Sequence, residues 1–228
     1  MSETVANGKY PISNFKSQNI TACIFDLDGV LVDTAGYHYQ AWRVMANDLG
    51  FDFTELQNEK LKGVSRIDSL KLILGWGNVT KSEEEMLFLA QKKNDDYLKM
   101  IEQMTPENLL PGASDLLKYL KANSYKVALG SASKNAKLIL DKTGVLPLFD
   151  AIVDGNIVTS SKPDPQVFLK AAELLNEQPE NCVVFEDAEA GVEAALRGKM
   201  HVIGIGDKEI LGDADFVVKS LEEIEYNN

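Results

Sequence analysis

The sequence predicts an α/β fold: a Rossmann-like parallel sheet covered by helices, with a block of helices inserted after the first strand. Three observations predict it. The apolar run Thr21–Phe25 ends in Asp26-Leu27-Asp28-Gly29, so a buried strand breaks into a loop at a glycine. From about Thr34 to Met104 the pattern is helical, and no convincing strand interrupts it. After Pro111-Gly112 helical and strand patterns alternate. Repeated βα units imply parallel strands with helices on both faces and right-handed crossovers.

Each element has its own signal. Tyr37, Ala41, Met45 and Leu49 recur at helical spacing and read as packing positions. The stretch "VTKSEEE" offers Thr80 and Glu83 as a capping box before a long helix through Lys99. Beyond Gly112 the expected order is helix 113–122, strand 126–130, helix 134–141, short strand 151–153, helix 164–175, strand 183–185, helix 188–198, strand 201–205 and a last edge strand 216–218. The domain division that follows is an α/β core from residues 20–33 and 106–228, and a helical cap at 34–105. Residues 1–19 read as an N-terminal extension, a candidate disordered tail with no assigned role.

Composition narrows the function. The chain has 228 residues, is 45% hydrophobic, and carries a formal net charge of −12. That charge argues against nucleic acid or an anionic membrane as partner, since both need a basic surface. The first 19 residues lack an apolar leader core, and no run approaches membrane-spanning length. Cys23 and Cys182 each sit in an apolar run, as small core residues of a reduced protein do. A cytoplasmic monomer is expected.

Open α/β sheets bind ligands beyond the carboxyl ends of their strands, and four such ends carry chemistry here. Asp26 and Asp28 would repel each other at a buried strand end unless compensated. A divalent cation does this, and hard oxygen ligands select Mg²⁺; a turn with aspartate as a local acceptor is the plainer alternative. Ser131, Ala132, Ser133, Lys134 and Asn135 could cradle a phosphate at a helix start, or simply cap that helix. In "SSKPDPQVF", Pro163 keeps Lys162 out of the helix, Asp164 can cap and Pro165 fits the first turn. Lys162 is then free to reach a cleft or to lie solvated. Glu186 and Asp187 supply a second acid pair, suited to a metal or to a helix dipole. Each signal is moderate; the order of all four along one sheet edge is not easily accidental.

With "FDLDGVLVDT", "GSAS", "SKPDP" and "FEDAEAG" in that order, the chain resembles the haloacid dehalogenase (HAD) superfamily of aspartyl-phosphate enzymes from about Ala22 onward. Within it, "VDTAGYHYQAW" and "KGVSR" look like the β-phosphoglucomutase branch, an isomerase group of carbohydrate metabolism. The resemblance implies a HAD-like core with a helical cap, and interconversion of β-glucose 1-phosphate and glucose 6-phosphate. It makes Asp26 the nucleophile and Asp28 the general acid/base, roles a carboxylate pair can perform. Mg²⁺ would be held by Asp26, Asp28 through its backbone carbonyl, and Asp187, with Glu186 close by. Ser131, Ala132 and Lys162 would hold the transferring phosphoryl group.

The resemblance also assigns the odd stretch "LKGVSRIDSL" in the helical block. Lys62, Gly63, Val64, Ser65 and Arg66 would reach down from the cap, and Ser133, Lys134 and Asn135 up from the core, to hold the nonreacting phosphate of a bisphosphorylated sugar. Arginine suits this because its planar fork grips phosphate bidentately. Thr34 and His38 lie on one helical face near the cap hinge, and the histidine is expected to align the acid/base; Trp42 reads as packing beneath the cap or as a border to the sugar. The implied primer is β-glucose 1,6-bisphosphate, and the implied partners are small phosphorylated sugars. The alternative is a Mg²⁺-dependent sugar-phosphate phosphatase of the same superfamily. A noncatalytic phosphosugar-binding or receiver-like module is a third, disfavoured because a passive acceptor has no use for Asp28.

Overall fold

The computed structural model describes residues 9–226. In chain order its main elements are β1 (Tyr10–Pro11), α1 (Asn14–Ser17), β2 (Ala22–Phe25), α2 (Ala35–Asp48), α3 (Glu55–Glu59), α4 (Arg66–Trp76) and α5 (Glu83–Ile101). There follow α6 (Ala113–Ala122), β3 (Lys126–Gly130), α7 (Ala136–Lys142), β4 (Ala151–Val153), α8 (Gln166–Leu175), β5 (Cys182–Glu186), α9 (Glu189–Arg197), β6 (His201–Ile205), β7 (Phe216–Val218) and β8 (Ile224–Glu225).

Six strands form one parallel sheet in the order β4-β3-β2-β5-β6-β7. β2 is central, and its four residues are all buried because helices cover both faces. The two-residue period of a strand sorts its side chains between two cores. Cys23, Phe25, Val127, Leu129, Val183, Phe185, Ile203 and Ile205 join one core. Ala22, Ile24, Ala128, Cys182, Val184 and Val202 join the other, against α8 and α9. Phe25 and Phe185 stack at 4.5 Å at the ends of β2 and β5, next to Asp26 and Glu186 in the chain. Both cysteines are free and buried.

A third core belongs to the inserted helices alone: Trp42, Met45, Ala46, Phe53, Leu61, Leu70, Ile73, Leu74 and Ala90. Trp42 is therefore packing, as its spacing predicts. No helix among the described residues is long and apolar enough to cross a membrane.

The structure differs from expectation in several places. The long helix is capped by Ser82 and Glu85, not by Thr80 and Glu83: the Ser82 side chain takes the Glu85 amide, and Glu85 takes the Ser82 amide at 2.8 Å. Both pairs share the same spacing, and the one in extended backbone at the helix start makes the box. α7 begins at Ala136, two residues late, because Ser131 and Ser133 hydroxyls take the amides of Ser133 and Asn135 and hold 131–135 as a loop. α8 begins at Gln166 after Pro165, with Asp164 accepting from the Gln166 amide at 2.9 Å. Residues 9–19 are not a loose tail. β1 pairs in parallel with β8, and Tyr10, Ile12 and Phe15 are buried against the first core. Residues 1–8 lie outside the described residues.

Candidate active site

The carboxyl ends of β2, β3 and β5 meet beneath the inserted helices. The cleft between them measures about 130 Å³. Sheet geometry delivers Asp26 from β2, Ser131 from β3 and Asp187 from β5 to its floor; α2, α4 and α5 deliver Thr34, His38, Arg66, Lys93, Asn94 and Tyr97 to its roof.

At the floor, one ligand oxygen each from Asp26, Glu186 and Asp187 falls within 4.8 Å of the others. Burial, opposed by the Lys162 ammonium and reinforced by Asp26, pushes the Glu186 carboxyl up. Burial and then Asp26 do the same to Asp187. Three hard carboxylate oxygens this close together fit a divalent cation. Lys162 supplies one positive charge beside them. It is buried, with Nζ 2.6 Å from Asp26 Oδ1 and 2.7 Å from Glu186 Oε2. Burial alone would lower this ammonium, but the two carboxylates outweigh it and hold the pKa above its usual value. The upward pushes on Lys162 and on Glu186 point to opposite charge states for the pair. The short contacts decide for a charged lysine shared between two carboxylates. Its ring neighbour Phe168, 4.8 Å from Nζ, closes the pocket behind it.

Gly29 makes the floor possible. Its φ of +81° turns the chain, and a Cβ there would collide with the Asp187 carboxylate. Asp28 lies one turn inward and accepts a short hydrogen bond from the Thr34 hydroxyl. Burial, then the charge of Asp26, raises the Asp28 carboxyl to about 7, with Thr34 pulling the other way. An acid poised near neutrality can both give and take a proton.

At the far end stand Arg66 from the first turn of α4 and Lys134 from the loop before α7, with Ser133 and Asn135 beside them. Neither Arg66 nor Lys134 has an ion-pair partner among the described residues, so two cations face one cleft wall. Val64 and Gly63 line the same cleft, and Gly63, at φ +72°, lies against the Lys162 side chain.

Not every expected residue goes where it was expected. Lys62 turns to the floor instead of the far end, with Nζ 3.0 Å from Glu59 and 3.4 Å from Asp187. The Ser65 hydroxyl is spent as the N-cap of α4, donating to Asp68 Oδ2 at 2.6 Å, and lines a neighbouring cavity with Lys162. His38 makes no hydrogen bond to Asp28; Thr34 does that, while His38 Nδ1 lies 2.8 Å from Lys93 Nζ. Burial, then Lys93 and Arg66, hold the imidazole well below its ordinary pKa, so Nδ1 of a neutral ring accepts from Lys93.

Sequence reasoning missed three residues of α5. Lys93 is 3% exposed, its ammonium 4.5 Å from the Trp42 ring centre and 4.7 Å from that of Tyr97. Asn94 accepts from Asn135 at 2.8 Å, joining the inserted helices to the sheet domain. Tyr97 stacks on His38 at 4.3 Å. A signal existed: Ala90, Lys93, Asn94, Tyr97 and Ile101 form the buried stripe of α5, and a lysine and an asparagine on such a stripe need a reason.

Comparison with known proteins places this geometry. The family model for haloacid dehalogenase-like hydrolases matches residues 20–198. The chain is 42% identical over 205 residues to the β-phosphoglucomutase of Bacillus subtilis, covering 89% of this chain and 91% of that protein. The crystal structure of β-phosphoglucomutase from Clostridium difficile, 44% identical, aligns with a TM-score of 0.88 over 91% of this chain and 94% of that one. A phosphorylated carbohydrates phosphatase of Thermotoga maritima is 30% identical over 210 residues, 88% of this chain and 95% of that protein.

Proposed function

This chain belongs to the haloacid dehalogenase-like hydrolase family, and we propose that within it the protein acts as a β-phosphoglucomutase, interconverting β-glucose 1-phosphate and glucose 6-phosphate. The likeness to two β-phosphoglucomutases across nine-tenths of the chain supports the reading. The single observation that carries it is the pair of cations Arg66 and Lys134, which line the cleft of Asp26 with no ion-pair partner among the described residues. A sugar bearing two phosphates needs one anion site at each end.

In this reading the Asp26 carboxylate attacks a phosphoryl group of β-glucose 1,6-bisphosphate in line, and the P–O bond to the sugar breaks as Asp28 gives its proton to the leaving sugar oxygen. The phosphorylated Asp26 then passes its group to the 6-hydroxyl of β-glucose 1-phosphate, whose proton goes to Asp28. The new bisphosphate turns end for end, Asp26 takes the phosphoryl group from O1, and Asp28 returns the proton to O1 as glucose 6-phosphate leaves. Mg²⁺, with Asp26, Glu186, Asp187 and the Asp28 carbonyl as its candidate ligands, would offset the charge of the phosphoryl oxygens. Lys162, Ser131 and Ala132 bind those oxygens from the sheet side. Thr34 holds the Asp28 carboxyl in place. Arg66, Lys134, Ser133 and Asn135 bind the idle phosphate, and that remote grip draws residues 34–105 down as a cap and excludes water.

Arg66→Ala tests the assignment, because it spares Asp26, Asp28 and the acid cluster. Isomerisation should fall by one to two orders of magnitude for loss of a charge-assisted contact (roughly 1.5–3 kcal/mol). The share of phosphoryl groups lost to water should rise, and Arg66→Lys should restore only part of the loss. Unchanged isomerisation in Arg66→Ala, with phosphate release measured in parallel, would remove the far anion site and favour a phosphatase.

A further inference from the structure

Tyr97 is 1% exposed, and its hydroxyl has no hydrogen-bond partner among the described residues. Buried hydroxyls are nearly always paired, because leaving one unpaired destabilises the fold. A phenylalanine would fill the same space without that penalty. The ring is fixed: it stacks on His38 at 4.3 Å, tilted by 33°, and the Lys93 ammonium sits 4.7 Å from its centre. Neither neighbour satisfies the hydroxyl; Lys93 and His38 bond each other instead.

Tyr97 lines the cleft, and burial, then the charge of Asp28, push its phenol well above the ordinary value. The Thr34 hydroxyl is near enough to influence its titration, yet by distance and angle the two make no hydrogen bond, and Thr34 gives its proton to Asp28. Tyr97 thus shares one cleft with Asp28, the proposed acid/base, and Arg66, the proposed cation at the idle phosphate. A sugar ring bound there would bring its belt of hydroxyls into that cleft.

We propose that the Tyr97 hydroxyl is a specificity-determining contact that hydrogen-bonds one ring hydroxyl of the bound sugar phosphate. The inference rests on the mutase reading above and adds to it the means of choosing the sugar. The phenol can donate and accept, and so can its partner. A sugar lacking that hydroxyl leaves the phenol unpaired, which disfavours it at the transition state.

The test is kcat/KM of the full chain for β-glucose 1-phosphate and its 2-, 3- and 4-deoxy analogues, in wild type and Tyr97→Phe. Wild type should lose roughly 10- to 100-fold on one analogue. Tyr97→Phe should lose a similar factor on the parent sugar and nothing further on that analogue. Its ligand-free melting temperature should equal or exceed that of wild type, because no partner is lost. A uniform loss on all four sugars would overturn the proposal in favour of a hydroxyl that positions Asp28 through Thr34. So would unchanged kinetics, or a ligand-free protein several degrees less stable. Wild type that makes no glucose 6-phosphate removes the mutase reading and this contact with it; wild type that turns over without the coupling removes the contact alone.

Discussion

Asp26 and Asp28 are two residues apart and meet different fates, because one is held beside the Lys162 ammonium and the other is buried under Thr34. That asymmetry supports a division of labour between nucleophile and acid/base. Asp26→Asn should abolish turnover and the trapped phosphoenzyme. Asp28→Asn should keep substrate binding but slow transfer by roughly 10²- to 10⁴-fold. Near-native rapid-quench rates in either variant would contradict the assignment. Both aspartates were legible in the sequence, because a D-x-D-G break after an apolar run marks a strand end. Lys93 was not: nothing in its neighbours along the chain announces burial. Its ammonium is pushed down to about 7 by burial and then by Arg66, with Asp28 opposing. The unfolded chain would keep this lysine protonated to well above pH 10. Between about pH 7 and 10 the unfolded state therefore binds more protons than the folded one, and stability contributed by this site rises with pH. Lys93→Met should flatten that rise, by roughly 1.4 kcal/mol per pH unit at most. Urea titrations at pH 7, 8 and 9 in parallel on both proteins check it, and identical pH slopes would mean an ammonium that titrates normally.

Strands were the most readable elements, since β3, β4, β6 and β7 have the bounds their apolar runs predict. Helix starts were less so. Thr80-x-x-Glu83 and Ser82-x-x-Glu85 carry the same pattern, and the structure makes the box with Ser82, whose backbone is extended. The N-terminal segment was misread for another reason. Its apolar residues Tyr10, Ile12 and Phe15 follow no regular period, so their burial depends on a partner at the other end of the chain, β8. Tyr10 packs on Phe216 at 5.1 Å and Phe15 meets Tyr125 edge-on at 5.8 Å. Phe15→Ala should therefore cost about 3–5 kcal/mol, as deep aromatic truncations do. Chemical denaturation measures this directly, and a loss below 1 kcal/mol would show a segment that merely rests on the core.

At the scale of the whole molecule, the site is an interface. The sheet supplies the reacting carboxylates and the inserted helices supply Arg66, Lys93 and Tyr97, so half of the cleft exists only when the two meet. Polar contacts across it include Asn135 to Asn94 at 2.8 Å, Lys62 to Asp187 at 3.4 Å and Ser161 to Asp68 at 3.4 Å, and Ala41, Tyr97, Ile101 and Met104 pack in the first core beside the sheet. The sheet half was legible because strand ends are local features. The roof was legible only where a resemblance named it, at "KGVSR", since which face of α5 looks downward is decided by packing of the third core. In the proposed mechanism the same interface separates a mutase from a phosphatase, because it would determine whether a second sugar or water reaches a phosphorylated Asp26. Phosphorus NMR of the protein with β-glucose 1-phosphate, Mg²⁺ and a trace of β-glucose 1,6-bisphosphate reads that choice directly. Conversion of the sugar 1-phosphate signal into that of glucose 6-phosphate, with inorganic phosphate a minor product, is the predicted result; accumulation of inorganic phosphate without glucose 6-phosphate would contradict it.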